Sequence, residues 1–105
     1  MPVRQLRPRQ PTPTARALKD RLVAEWRSQD STAEQPVILE ERGGPNQPIH
    51  IYVVWDDWAS LSDVERSEVI VEAFEDRYGK DEALNMTVAM GLTAIEADRL
   101  AIPYR

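Results

Sequence analysis

Two adjacent carboxylates, Asp56 and Asp57, stand between two tryptophans in the segment VVWDDW, residues 53–58. With Glu65 and Glu68 a few residues on, these are side-chain types that can hold Mg²⁺ or Ca²⁺ through oxygen, or divide into a general acid and a general base. The spacing argues against both. Neighbouring residues at a strand's end point to opposite faces and converge poorly, and no glycine-bearing ligand loop follows them. The pattern predicts a strand-to-helix corner instead. His50 is the single histidine, and no Ser/His/Asp or Cys/His arrangement can be assembled around it. Cysteine is absent, which removes thiol nucleophiles and Cys-held zinc or iron–sulfur clusters owned by this chain. RGGPN has neither the spacing nor the following helix of a phosphate-binding loop. The residues therefore read as a non-enzymatic chain, with no catalytic residue, metal ligand set or cofactor to nominate.

The elements around that corner follow from periodicity. Ala15, Leu18, Leu22 and Trp26 recur at steps of three, four and four, one face of an amphipathic helix that Thr12 or Thr14 can cap and that ends near Ser28. PVILEER reads as a first strand. GGPNQP is a short turn, and IHIYVVWDDW is a second strand with Ile49, Ile51, Val53 and Trp55 on the core side. Ser62 and Glu65 form a capping box that opens a helix of about sixteen residues. Val64, Ile70, Val71, Phe74 and Tyr78 are expected on its buried side, and Gly79 is its stop.

LNMTVAM, residues 84–90, admits two readings. Alternation of Leu84, Met86, Val88 and Met90 against Asn85, Thr87 and Ala89 suits a strand, whereas DEALNMTVAMG also works as a helix from Asp81 to Gly91. The strand is the preferred reading. Thr93 and Glu96 form a second capping box before a short last helix. The predicted order is α-β-β-α-β-α: an α+β two-layer sandwich, with helices packed on one face of a three-stranded sheet.

Charge divides the chain in two. Residues 1–13 carry Arg4, Arg7 and Arg9, no acid and four of the eight prolines. They are expected to be a disordered basic arm before a single domain at 14–105. Without those arginines, 10 Lys and Arg stand against 18 Asp and Glu, a net charge of −8. An acidic body repels phosphate backbones, so any nucleic-acid contact falls to the arm, or to Arg4, Arg7, Arg9 and Arg16 together. TVAMGLTAIEADRL has the ingredients of a helix-turn-helix, although its second helix would present Glu96 and Asp98 to DNA. No apolar run approaches a membrane span, and the absence of cysteine and of an apolar leader suggests the cytoplasm.

From Val53 to Phe74 the sequence resembles the BolA family. The residues that carry the resemblance are Trp58 at an aromatic corner, Ser62 as cap, Val64-Glu65-Arg66, and Glu72-Ala73-Phe74. GLTAIEA adds Leu92, Thr93 and Glu96 in register with that family's closing L-T-P-E-E segment, and His50 stands where members often have a histidine. The resemblance implies a KH-like α+β fold and a protein partner of the glutaredoxin type. It does not extend to sharing an iron–sulfur cluster. Asn85 stands near the family's ligating histidine, GGPNQP offers no Cys or His, and Arg66-Ser67-Glu68 replaces the usual R-H-R.

These readings nominate a partner-binding surface of His50, Tyr52, Val54, Asp57 and Trp58, open to a protein partner or to a second copy in a homodimer. The leading expectation is a small cytoplasmic adaptor or regulator acting through protein–protein contacts. The alternative is a nucleic-acid-binding regulator that uses the arm and the helix-turn-helix-like segment.

Overall fold

Pro13 presets the helical φ and lacks an N–H that would go unpaired in a first turn, and helix α1 (Pro13–Arg27) begins on it. In the computed structural model, which describes residues 12–28, 34–44 and 47–104, Thr12 rather than Thr14 is the cap. Its hydroxyl accepts the Ala15 N–H at 3.1 Å. Thr12 and Pro13 thus belong to the domain rather than to the arm. Ala15, Leu18 and Leu22 are buried and Trp26 is half-buried, as their spacing predicts.

Strands β1 (Val37–Arg42) and β2 (Ile49–Val54) pair antiparallel, with Val37 opposite Val54 and Arg42 opposite Ile49. A single 3₁₀ turn (Asp56–Ser60) then leads to helix α2 (Asp63–Tyr78), a one-turn helix α3 (Lys80–Ala83), strand β3 (Met86–Leu92) and helix α4 (Ala94–Arg99). β3 lies parallel to β2, giving a mixed sheet in the order β1-β2-β3. The expected α-β-β-α-β-α order is the one found, with α3 as one added turn, and the fold is α+β. α1 and α2 cover one face of the sheet over a core that includes Leu22, Ile51, Val53, Trp58, Ile70 and Phe74. α4 adds cover at one end of the opposite face, where Val54, Leu92 and Ala97 pack with Val37, Ile102 and Tyr104.

Two local readings change. Along α2 the inward stripe is Arg66, Ile70, Phe74 and, half-buried, Tyr78, each four residues from the last, with Val69 and Ala73 beside it. Val64 is two residues from Arg66, about 200° around the helix, and is 58% exposed. In β3, residues 86–90 are strand and not helix, but the expected alternation breaks. Ile49 pairs with Met86 while His50 pairs with Val88, a bulge at Thr87. One extra residue flips every later side chain to the other face. Met86 therefore faces the helices, followed by Ala89 rather than Val88, while Val88, Met90 and Leu92 share a face with Tyr52 and Val54. Leu84 precedes the strand and is 83% exposed.

The bulge also places Gly91 under the α2 corner. A Cβ built there would stand 2.7 Å from the Arg66 Cβ and 3.1 Å from the Trp58 ring, so only glycine allows this close approach.

Candidate functional site

The densest polar arrangement among the described residues lies where β2 ends, α2 starts and β3 runs into α4. Its centre is Arg66, 6% exposed. The Arg66 Nε donates to the carbonyls of Trp58 and Leu61, both at 3.0 Å. Nη1 donates to the Gly91 carbonyl at 3.3 Å and to Glu96 Oε1 at 2.7 Å. Three carbonyls and the Glu96 carboxylate accept from the guanidinium, and the Asp63 carboxylate stands 3.6 Å from Nη1, which is how a buried cation is made tolerable. Glu96 is at once the closing residue of its own capping box, accepting the Thr93 N–H at 2.8 Å. The capping boxes Ser62–Glu65 and Thr93–Glu96 are thus tied together through Arg66.

Trp58 is fully buried and donates its indole N–H to the Val53 carbonyl at 3.1 Å. Trp55 packs edge-on against it with ring centroids 5.1 Å apart. Asp56 is a connector. Its backbone N–H reaches Gln35 Oε1 at 2.8 Å, and its carboxylate accepts the Ala94 N–H at 2.9 Å and the Gln35 side-chain amide at 3.4 Å. Gln35 is a partner that no local pattern signals. Asp57 is exposed and does not converge on Asp56. The corner is a joint between elements. Nucleophile and base are not brought together there, and no cluster of three or more His, Asp or Glu with metal-ligand geometry occurs among the described residues.

The Thr93 N–H, and after it the Arg66 guanidinium, hold the Glu96 carboxyl below the usual glutamate range. A carboxylate with a lowered folded-state pKa contributes stability above its unfolded value, about 4.3, and that contribution is lost as pH falls through the folded value. Glu96→Gln should therefore be less stable than the parent at neutral pH. The gap in urea midpoint should narrow as pH is lowered from about 5 to about 3. A gap that stays constant over that range would show that Glu96 ionisation does not support the joint.

Of the nominated surface residues, the structure keeps three at the surface. His50 and Tyr52 are half-buried on the sheet face opposite α1 and α2, and His50 Nδ1 lies 3.3 Å from Glu41 Oε2. Asp57 is exposed, but it sits on the corner. Val54 and Trp58 are fully buried and cannot meet a partner. Val54 lies under α4 and the tail through Tyr104, and Trp58 lies in the main core. Strand alternation puts Val54 on the outward face and the turn puts Trp58 at the corner, and neither local rule registers which distant segments pack over them. The bulge instead brings Met90, 38% exposed, alongside Tyr52, and Leu39 flanks Tyr52 from β1. Plain alternation along residues 84–90 puts Thr87 and Ala89 on this face and Met90 on the other; the bulge exchanges Ala89 for Met90.

For the alternative, Arg16 is exposed on α1, while Arg4, Arg7 and Arg9 lie outside the described residues. The helix-turn-helix is not formed, because Met86–Leu92 is a strand paired along β2. Among the described residues, no helix is long and apolar enough to cross a membrane. Compared with family models, curated proteins and solved structures, the chain finds no match in any of the three.

Proposed function

We propose that this chain is a non-catalytic adaptor with a BolA-like core, acting through protein–protein contacts on the open face of its sheet. The observation that carries this reading is the composition of that face. Leu39, Tyr52, Val88 and Met90 form a half-exposed apolar strip across all three strands, beside the His50–Glu41 pair. α4 covers only the end of the face at Val54 and Leu92. A flat apolar strip with a charged border has the anatomy of a modest docking patch. Its complement is a protein surface with apolar side chains at the centre and a basic group opposite Glu41. The BolA-like part of the reading rests on the quoted sequence resemblance and on the shared element order. It makes a glutaredoxin-type protein the first partner to test, bound without a shared cluster. The cytoplasmic assignment rests on composition.

The test is a titration of the isotope-labelled chain with a monothiol glutaredoxin, following backbone amide shifts. Shifts should concentrate at Leu39, His50, Tyr52 and Met90. Tyr52→Ser should weaken binding about tenfold or more, equivalent to about 1.4 kcal/mol. Shifts confined to another surface would sink the sheet-face reading, and no binding at all would remove the glutaredoxin-type partner.

A further inference from the structure

α2 has a second, outward side that the core does not use. Asp63, Val64, Ser67, Glu68, Val71 and Glu72 line a shallow groove of about 500 Å³ along it, outside the edge strand β3. Its floor is apolar: Val64 is 58% exposed and Val71 is half-buried. Its charge is wholly acidic, three carboxylates with no base. Asp63 has the Arg66 guanidinium 3.6 Å away, whereas Glu68 and Glu72 make no ion pair among the described residues. Like charges four residues apart on a helix repel, so these two would gain from a cation laid beside them.

We infer that the groove is the docking site of the chain's own basic arm, residues 1–11. Three observations favour this occupant. The arm has the complementary chemistry, with Arg4, Arg7 and Arg9, the apolar Val3 and Leu6, and no acid. Its spacing also fits. In an extended proline-rich conformation, Arg4 to Arg7 spans about 9 Å and Arg7 to Arg9 about 6 Å. Along α2, Asp63 to Glu68 spans about 7.5 Å and Glu68 to Glu72 about 6 Å. Finally, the arm can reach. Lys19 of α1 already pairs at 3.0 Å with Asp76, one turn beyond Glu72. Lys19 is about 10 Å along α1 from Thr12. Arg9, Arg7 and Arg4 stand three, five and eight residues before Thr12, extended spans of up to about 10, 17 and 26 Å. Tethering turns a weak ionic contact into an intramolecular one, with an effective concentration in the millimolar range for short linkers.

The chain has no cysteine, so Pro2→Cys in the full-length protein accepts a single nitroxide label. Loss of amide signal from that label should fall on residues 64, 67, 68, 71 and 72. It should weaken as salt shortens the screening length from about 10 Å at 0.1 M to about 3 Å at 1 M. The triple variant Arg4→Ser, Arg7→Ser, Arg9→Ser should abolish it, and so should Glu68→Gln with Glu72→Gln, substitutions at exposed positions. Signal loss spread evenly over the surface, or centred on another face, would overturn the proposal. So would signal loss seen only between chains, when labelled protein is mixed with unlabelled ¹⁵N protein. The sheet-face reading is independent, because its shifts are sought at Leu39, His50, Tyr52 and Met90.

Discussion

Arg66→Ala should destabilise the domain by about 3–5 kcal/mol, the usual consequence of removing one partner from a buried charged network. For a domain of about 100 residues this lowers the melting temperature by roughly 15–30 °C. Truncation takes the guanidinium donor from the Trp58, Leu61 and Gly91 carbonyls and from Glu96 Oε1, although Trp58 keeps the Leu61 N–H and Glu96 keeps the Thr93 N–H. Each buried orphan acceptor carries a desolvation penalty of about 1–3 kcal/mol. The penalties do not sum freely, because water enters the space that the side chain leaves. Glu96→Ala should cost less than Arg66→Ala, since the Glu96 side chain is 38% exposed and the guanidinium keeps its carbonyl acceptors. Arg66→Lys should recover only part of the loss, because one ammonium cannot reproduce a planar fork that serves three elements. Urea denaturation of the three variants decides the matter. Equal costs for Arg66→Ala and Glu96→Ala would reduce the network to a single surface ion pair.

Trp58→Ala should be about as damaging, about 3–5 kcal/mol, as for other large aromatics removed from a packed core. The ring is fully buried and packs edge-on against Trp55, and it lies beneath Gly91. Its loss opens a cavity that the corner cannot close, because Arg66 and the Val53 carbonyl are held in place by other contacts. Trp58→Phe should cost less, about 1–3 kcal/mol, through the lost indole hydrogen bond to the Val53 carbonyl and the part of the ring volume left unfilled. Intrinsic fluorescence supplies a second readout, because Trp58 is the most enclosed of the three tryptophans and Trp26 is half-buried on α1. An unchanged midpoint for Trp58→Ala would contradict its place in the core. A smaller loss for Trp58→Ala than for Trp58→Phe would contradict the role of ring volume.

Both predictions concern residues that carry the resemblance to the BolA family. Trp58, Ser62, Glu65, Arg66, Thr93 and Glu96 are one connected joint, so their pattern has a sufficient cause in packing and capping. The partner-binding reading therefore rests on the sheet face and not on these residues.

Much of the fold was legible because it is written in local terms. A capping box is a contact between residues three apart, and both Ser62–Glu65 and Thr93–Glu96 formed as their spacing requires. Gly79 takes φ +94° and ends α2. The alternation of Ile49, Ile51 and Val53 on the core side of β2 follows from the strand's period of two. Tertiary structure alone decided the rest. Asp56 meets Ala94 across 38 residues, Arg66 meets Glu96 across 30, and Val54 is enclosed by a segment that begins about forty residues later. The bulge at Thr87 arises from pairing with β2, and it decides which side chains of β3 reach the open face. Helix and strand periods constrain a side chain only relative to its near neighbours. Its burial or exposure is decided by whichever distant segment packs over it, and that selection is made by the free energy of the assembled core.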